Sequence, residues 1–212
     1  MLKVLATGAT LLASLAGTGT AAHAAPSTIV PGEDMAITVA AANGSGCPER
    51  SAKVTVSPDN KAFTVTYSKF TAQTGPDAGP TDFRRNCQLA LNVHVPQGYT
   101  FAIAGADYRG YAHLERGATG SESANYYFQG EPQSTRIRHD FSGPADTDWQ
   151  RTDTVGIGSL SFLPCGEDRY LNVNTELRVN RGWSSRTATS FLTMDSTDGR
   201  IDTVYHVAWK KC

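Results

Sequence analysis

The chain has 212 residues, 40% of them hydrophobic and 18% charged, with 19 Lys+Arg against 20 Asp+Glu and a formal net charge of −1. Those charges are scattered, with no basic stripe and no acidic tail, which excludes the electrostatic footprint of a nucleic-acid or anionic-membrane partner. Four cysteines, none at the short C-x₂₋₄-C spacing that zinc prefers, argue against a structural metal site.

Residues 1–24 read as a secretory signal peptide. Lys3 supplies the positive start, an apolar run broken by Gly and Thr follows, and Ala22-His23-Ala24 offers a small-x-small cleavage site before Ala25. The run is too interrupted to span a bilayer. No Cys for lipidation and no twin Arg accompany it, so the expected product is released and secreted. Removing residues 1–24 from the 212 leaves 188, enough for one domain with a full core, and no repeat or linker divides 25–212.

Alternation with period 2 recurs along this mature part. SAKVTVS (51–57) places Val54 and Val56 on one face. AFTVTYSKF (62–70) does the same with Phe63, Val65 and Tyr67, and CQLALNVHVP (87–96) with Leu89, Leu91, Val93 and Val95. YTFAIAG, SLSFL, YLNVNTELRVN, TATSFLTMD and IDTVYHVAW continue the pattern, and helical periodicity is lacking throughout. Turn chemistry separates the runs at 57–62, 95–100 and 196–201, the last carrying the hairpin pair Asp198-Gly199. About ten strands around one core predict an all-β fold: a two-sheet antiparallel β-sandwich, jelly-roll-like, in a single domain. Three polar stretches, 71–86, 114–125 and 141–153, read as longer surface loops, where binding usually resides.

An even number of cysteines in an exported chain predicts two disulfides. Cys47 follows a strand and Cys87 precedes one, so an antiparallel pairing of the two brings these residues together. Cys165 is then left for Cys212, with the other two connectivities still open. Both of those segments end at their cysteine, so the bridge requires them to run side by side in parallel or to lie in facing sheets.

The order GSGCP (44–48), RRNCQLALNVHVPQGYTF (84–101), YRGYAHLERG (108–117), NYYFQG (125–130), PCG with LNVNTELRV (164–179) and DSTDG with VAWKKC (195–212) resembles a family of small secreted proteins. That family spans actinobacteria and filamentous fungi and is defined only by a shared domain of unknown function. The resemblance covers essentially the whole mature chain. It implies secretion, a β-rich fold and paired cysteines, and brings no catalytic residues with it.

Catalytic motifs are sparse. His94, His113, His139 and His206 form no H-E-x-x-H and no ligand spacing, and no G-x-S-x-G elbow exists. Glu176 is the best-placed single acid for glycoside hydrolysis, without an identifiable partner. Asp195, Asp198 and Asp202 lack the twelve-residue calcium-loop pattern, and a turn explains them. No metal and no cofactor is expected.

The most suggestive stretch is YLNVNTELRVN. Leu171, Val173, Thr175, Leu177 and Val179 form its buried face, while Tyr170, Asn172, Asn174, Glu176, Arg178 and Asn180 face the other way. Amide, carboxylate and guanidinium groups can hydrogen-bond sugar hydroxyls, and Tyr offers a stacking surface. The plainer reading is a sheet face kept polar for solubility. Trp149 and Trp183, in polar surroundings, are read either as stacking platforms or as caps on the edge of the core. The first expectation is therefore a non-catalytic extracellular binding protein for a glycan or cell-envelope ligand. The alternatives are a protease inhibitor presenting 71–86 and a hydrolase with no recognisable motif.

Overall fold

In the computed structural model, residues 29–132, 136–156, 159–194 and 202–212 are described. The signal segment, Asp195 and the Asp198-Gly199 turn lie outside them. Twelve strands are present among the described residues: β1 (Ala36–Asn43), β2 (Ala52–Val56), β3 (Ala62–Tyr67), β4 (Thr71–Thr74), β5 (Arg84–His94), β6 (Tyr99–Leu114), β7 (Thr119–Phe128), β8 (Ile137–Ser142), β9 (Ala145–Thr154), β10 (Leu171–Asn180), β11 (Ser190–Thr193) and β12 (Thr203–Lys211). One antiparallel sheet has the order β1-β5-β10-β7-β8. The other runs β2-β3-β12-β6-β11-β4, with β9 on the free edge of β6.

The alternating runs end up where their periodicity requires. Leu89, Leu91 and Val93 of β5 and Leu171, Val173, Leu177 and Val179 of β10 turn inward from the five-stranded sheet. They meet Phe63, Val65, Tyr67, Phe101, Tyr108, Leu192 and Tyr205 from the seven-stranded one in a single core. Rings lock the layers together: Phe101 meets Phe128 edge-on at 5.2 Å, and Tyr126 meets Tyr205 at 6.3 Å.

Both disulfides have the favoured pairing. Cys47–Cys87 closes the end of the β1/β5 pair, where Asn43 lies opposite Gln88, and Cys87 sits within β5 rather than ahead of it. Cys165–Cys212 ties the segment before β10 to the end of β12.

Four expectations are corrected. Residues 114–125 are a tight turn leading into β7, and 141–153 are largely β8 and β9. Only 75–83 of the stretch 71–86 is loop. The polar residues misled because β7 is covered on both sides, so its small side chains need not alternate. β9, on the sheet edge, wets most of one face. Conversely, SLSFL is not a strand. Leu163 alone joins β6, donating to the Phe101 carbonyl at 3.0 Å and accepting from Thr100 Oγ1 at 2.5 Å. The following Pro164 has no N–H to continue a ladder.

β9 and β6 also decide the fate of Trp149. It lies directly opposite Gly110, its ring against that glycine and 4.9 Å from Phe141. A Cβ on Gly110 would fall 2.0 Å from the Thr193 carbonyl oxygen and 2.4 Å from the indole. Gly110→Ala is therefore expected to cost about 1–3 kcal/mol by overpacking, read as a lower urea midpoint with unchanged m.

Candidate functional site

β10 is the centre of the five-stranded sheet, so its outward row is flanked by rows from β5 and β7. Arg178 lies opposite Arg84 and Ser121, Glu176 opposite Asn86 and Ser123, Asn174 opposite Gln88 and Asn125, and Asn172 opposite Ala90 and Tyr127. The row is not uniformly open. Arg136 donates to Asn125 Oδ1 at 3.1 Å and Ser123 Oγ at 3.3 Å, covering the β7 side, and Asn174 is only 9% exposed. Asn174 is thus removed from the candidate contact row, because a central strand with long neighbours leaves it little access to solvent. Asn172 and Glu176 are half-buried, whereas Tyr170, Arg178 and Asn180 are open.

Glu176 is committed to its neighbours. Arg84 grips it through Nε at 2.7 Å and through Nη2, and Arg178 Nε donates to its other oxygen at 2.5 Å. Burial pulls its carboxyl upward, but the Arg178 and Arg84 guanidinium groups outweigh this and hold the acid below its usual range. A carboxylate held in that way is a poor general acid; here it orients two arginines.

At the Arg178 end the face dips into a groove of about 610 Å³ lined by Thr119, Ser121, Arg138, Asp140, Arg178 and Arg181, with Phe83 also in its wall. Phe83 is held beside β10 by its carbonyl, which accepts from Val179 N–H at 2.9 Å. Trp183 follows Arg181 by two residues. One side of its indole rests on Gly117, and the side chain is 75% exposed. At the opposite end of the strand Tyr170 borders a smaller depression of about 400 Å³ with Asn92, His94, Gln129, Asp168 and Arg169. Of the large apolar side chains exposed among the described residues, Ile29, Phe83, Tyr170 and Trp183, three stand at the two ends of β10.

Trp149 is not among them. At 6% exposure it caps the core edge, as the second of its two sequence readings had it, and cannot stack on a ligand. Sequence reading overlooked Phe83, because FRRN gives no pattern that distinguishes an exposed ring from a buried one.

A hydrolase would need acids converging in a cleft. Two do converge: Glu122 of β7 and Asp153 of β9 interact, and His139 Nε2 meets Asp153 Oδ1 at 2.7 Å. They do so inside the sandwich, however. Glu122 is 0% exposed, neither of its oxygens has a hydrogen-bond partner among the described residues, and Tyr126 and Tyr108 crowd the same space. Burial, then the Asp153 charge, push the Glu122 carboxyl well above its usual range, with Arg136 opposing. None of these three acid and imidazole groups lines the grooves at the ends of β10.

The other histidines are dispersed. His113 Nδ1 lies 2.9 Å from Asp146, which also accepts from the Tyr111 hydroxyl at 2.7 Å, and His206 pairs with Asp107 at 2.7 Å. No group of three or more His, Cys, Asp or Glu residues is arranged to hold a metal among the described residues. The 75–83 loop is folded on itself through Asp82, which accepts from Gly79 N–H at 3.0 Å and pairs with Arg85 at 2.7 Å.

A family model described as "Domain of unknown function (DUF4360)" matches residues 33–212. An "Uncharacterized secreted protein" of Arthroderma benhamiae is 36% identical over 169 residues, covering 80% of this chain and 68% of the fungal protein. The solved structure of the enzymatically active domain of bacteriophage CBA120 tailspike protein 4 matches with 10% identity and a TM-score of 0.25, over 84% of this chain and 19% of that one.

Proposed function

The chain belongs to the DUF4360 family, and from that premise we propose that it is a non-catalytic extracellular binding protein taking a glycan on the outer face of its five-stranded sheet. Its secreted relative and its two disulfides put it outside the cell, where polysaccharide surfaces are the abundant ligands.

The observation that carries the reading is the placing of exposed Phe83 and Trp183 at one end of β10 and exposed Tyr170 at the other, with the polar row between them. Isolated exposed rings are unremarkable on any surface. Here two stand at one end of a strand of roughly 30 Å and one at the other, giving stacking area at both ends of the polar row. Rings supply stacking area, and the hydroxyl and guanidinium groups between them match sugar hydroxyls. Glu176 is neutralised by arginine and Glu122 is sealed inside, so these two acids serve structure, while Asp140 and Asp168 line separate grooves at opposite ends of β10 and have no second groove-lining acid within reach among the described residues.

Affinity electrophoresis against a panel of cell-wall and plant polysaccharides tests it. Retention of the wild type is expected, with Phe83→Ala and Trp183→Ala each weakening it roughly 3- to 10-fold through lost stacking. If the wild type migrates unretarded through every polysaccharide, the proposal is wrong.

A further inference from the structure

We infer that the ligand of the groove at the Arg178 end is an acidic polysaccharide, recognised through carboxylate groups; this rests on the binding reading above and narrows its ligand class. The chain as a whole carries a formal charge of −1, yet this corner of the sheet is cationic. The groove wall holds Arg138, Arg178 and Arg181 against the single carboxylate of Asp140. Arg84 and Glu176 adjoin it, so four guanidinium groups face two acids.

The arrangement is costly for a surface with no use for it. Arg84 and Arg178 stand directly opposite each other on adjacent strands, a like-charge pairing that disfavours the sheet. Glu176, itself half-buried, is placed between them and offsets the repulsion through both guanidinium groups. It also fixes how each arginine points.

Arg178 gives Glu176 only its Nε, and Arg138 gives Asp140 only its Nε, at 2.7 Å. Among the described residues the terminal amino pair of each therefore keeps its capacity for a planar, two-point grip on a carboxylate. Thr119, Ser121 and Ser142 add hydroxyls to the same wall, and Phe83 adds a flat apolar surface. Charged fork, hydroxyl donors and ring together match a sugar that carries one carboxylate per residue. A denser charge, such as a sulfate on every sugar, would be driven against Asp140 within the same groove.

The test compares binding of the full chain to polygalacturonate, to neutral glucans and xylans, and to dextran sulfate, at about 0.05 M and about 0.5 M NaCl, a range over which screening tightens from beyond 10 Å to a few ångströms. Binding to polygalacturonate that weakens several-fold with salt is expected. Arg138→Gln and Arg178→Gln should each reduce it roughly tenfold. Glu176→Gln should reduce it less, by freeing the two arginines to reorient. Arg50→Gln, at an exposed arginine elsewhere on the surface, should leave it unchanged.

Arg138 is more than half exposed, so its variant carries the test even if Arg178→Gln does not fold. Salt-insensitive binding to neutral glycans overturns the acidic assignment while leaving the binding function standing. Equal or tighter binding to dextran sulfate overturns carboxylate recognition in favour of general polyanion attraction. Retention of nothing at all overturns both proposals together.

Discussion

Replacing Cys47 and Cys87 together by alanine is expected to lower the free energy of unfolding by about 4–5 kcal/mol. The bridge closes a loop with a sequence separation of 40 residues. Freeing that loop in the unfolded chain is worth about 4 kcal/mol by chain entropy. Both sulfurs are buried in the core, so their removal also leaves a small cavity, which adds the remainder. Against a typical net stability of about 5–15 kcal/mol, the variant is left marginal. Urea titration of wild type and variant measures the difference directly; a loss under about 1 kcal/mol would show that the bridge constrains little in the unfolded state.

The Cys165–Cys212 bridge, with a separation of 47, has almost the same entropic worth but lies at the surface. Under native conditions a reductant should open it first, because attack requires access to sulfur. Alkylation and peptide mapping would show Cys165 and Cys212 labelled before Cys47 and Cys87.

The second large effect comes from Glu122. Its carboxyl is held well above the ordinary value by burial and by Asp153, so the folded protein retains a proton that the unfolded chain has released. Stability from this group is complete below the ordinary carboxyl value of about 4.3 and declines as pH rises toward the folded value. The slope approaches about 1.4 kcal/mol per pH unit across that window.

Glu122→Gln keeps the shape and cannot ionise. It should match the wild type within about 1 kcal/mol near pH 4 and become progressively more stable than it toward pH 8. Asp153, His139, Arg136, Tyr67, Tyr108, Tyr126 and Tyr205 surround the site in both proteins, so the comparison changes the ionisable carboxyl at 122 and its coupling to Asp153. Urea unfolding of both proteins at four or five pH values decides it. A difference that stays flat with pH would mean that Glu122 is ionised in the folded state.

The strands of β2, β3, β5 and β10 were legible in the sequence because each buries one face and wets the other, which imposes the period of two. The Cys47–Cys87 bridge was legible because β1 and β5 are antiparallel neighbours, which brings the residues just after β1 beside the first residues of β5. The paired thiols, the secretion and the polar row of β10 are likewise local properties that can be read one residue at a time.

Tertiary packing decided the rest. It made strands of GSESAN in β7 and DTDWQRT in β9, because neighbouring backbones satisfy their N–H and C=O groups whatever their polarity. It withheld strand structure from SLSFL, which has the alternation but reaches β6 through Leu163 alone. It drew Trp149 inward over Gly110, covered Asn174, sealed Glu122 between the sheets and brought Phe83 beside Arg178 across a separation of nearly a hundred residues. Which face of a strand is apolar is written in its own residues; what comes to lie beside that face depends on partners distant in the chain, and no local pattern encodes them.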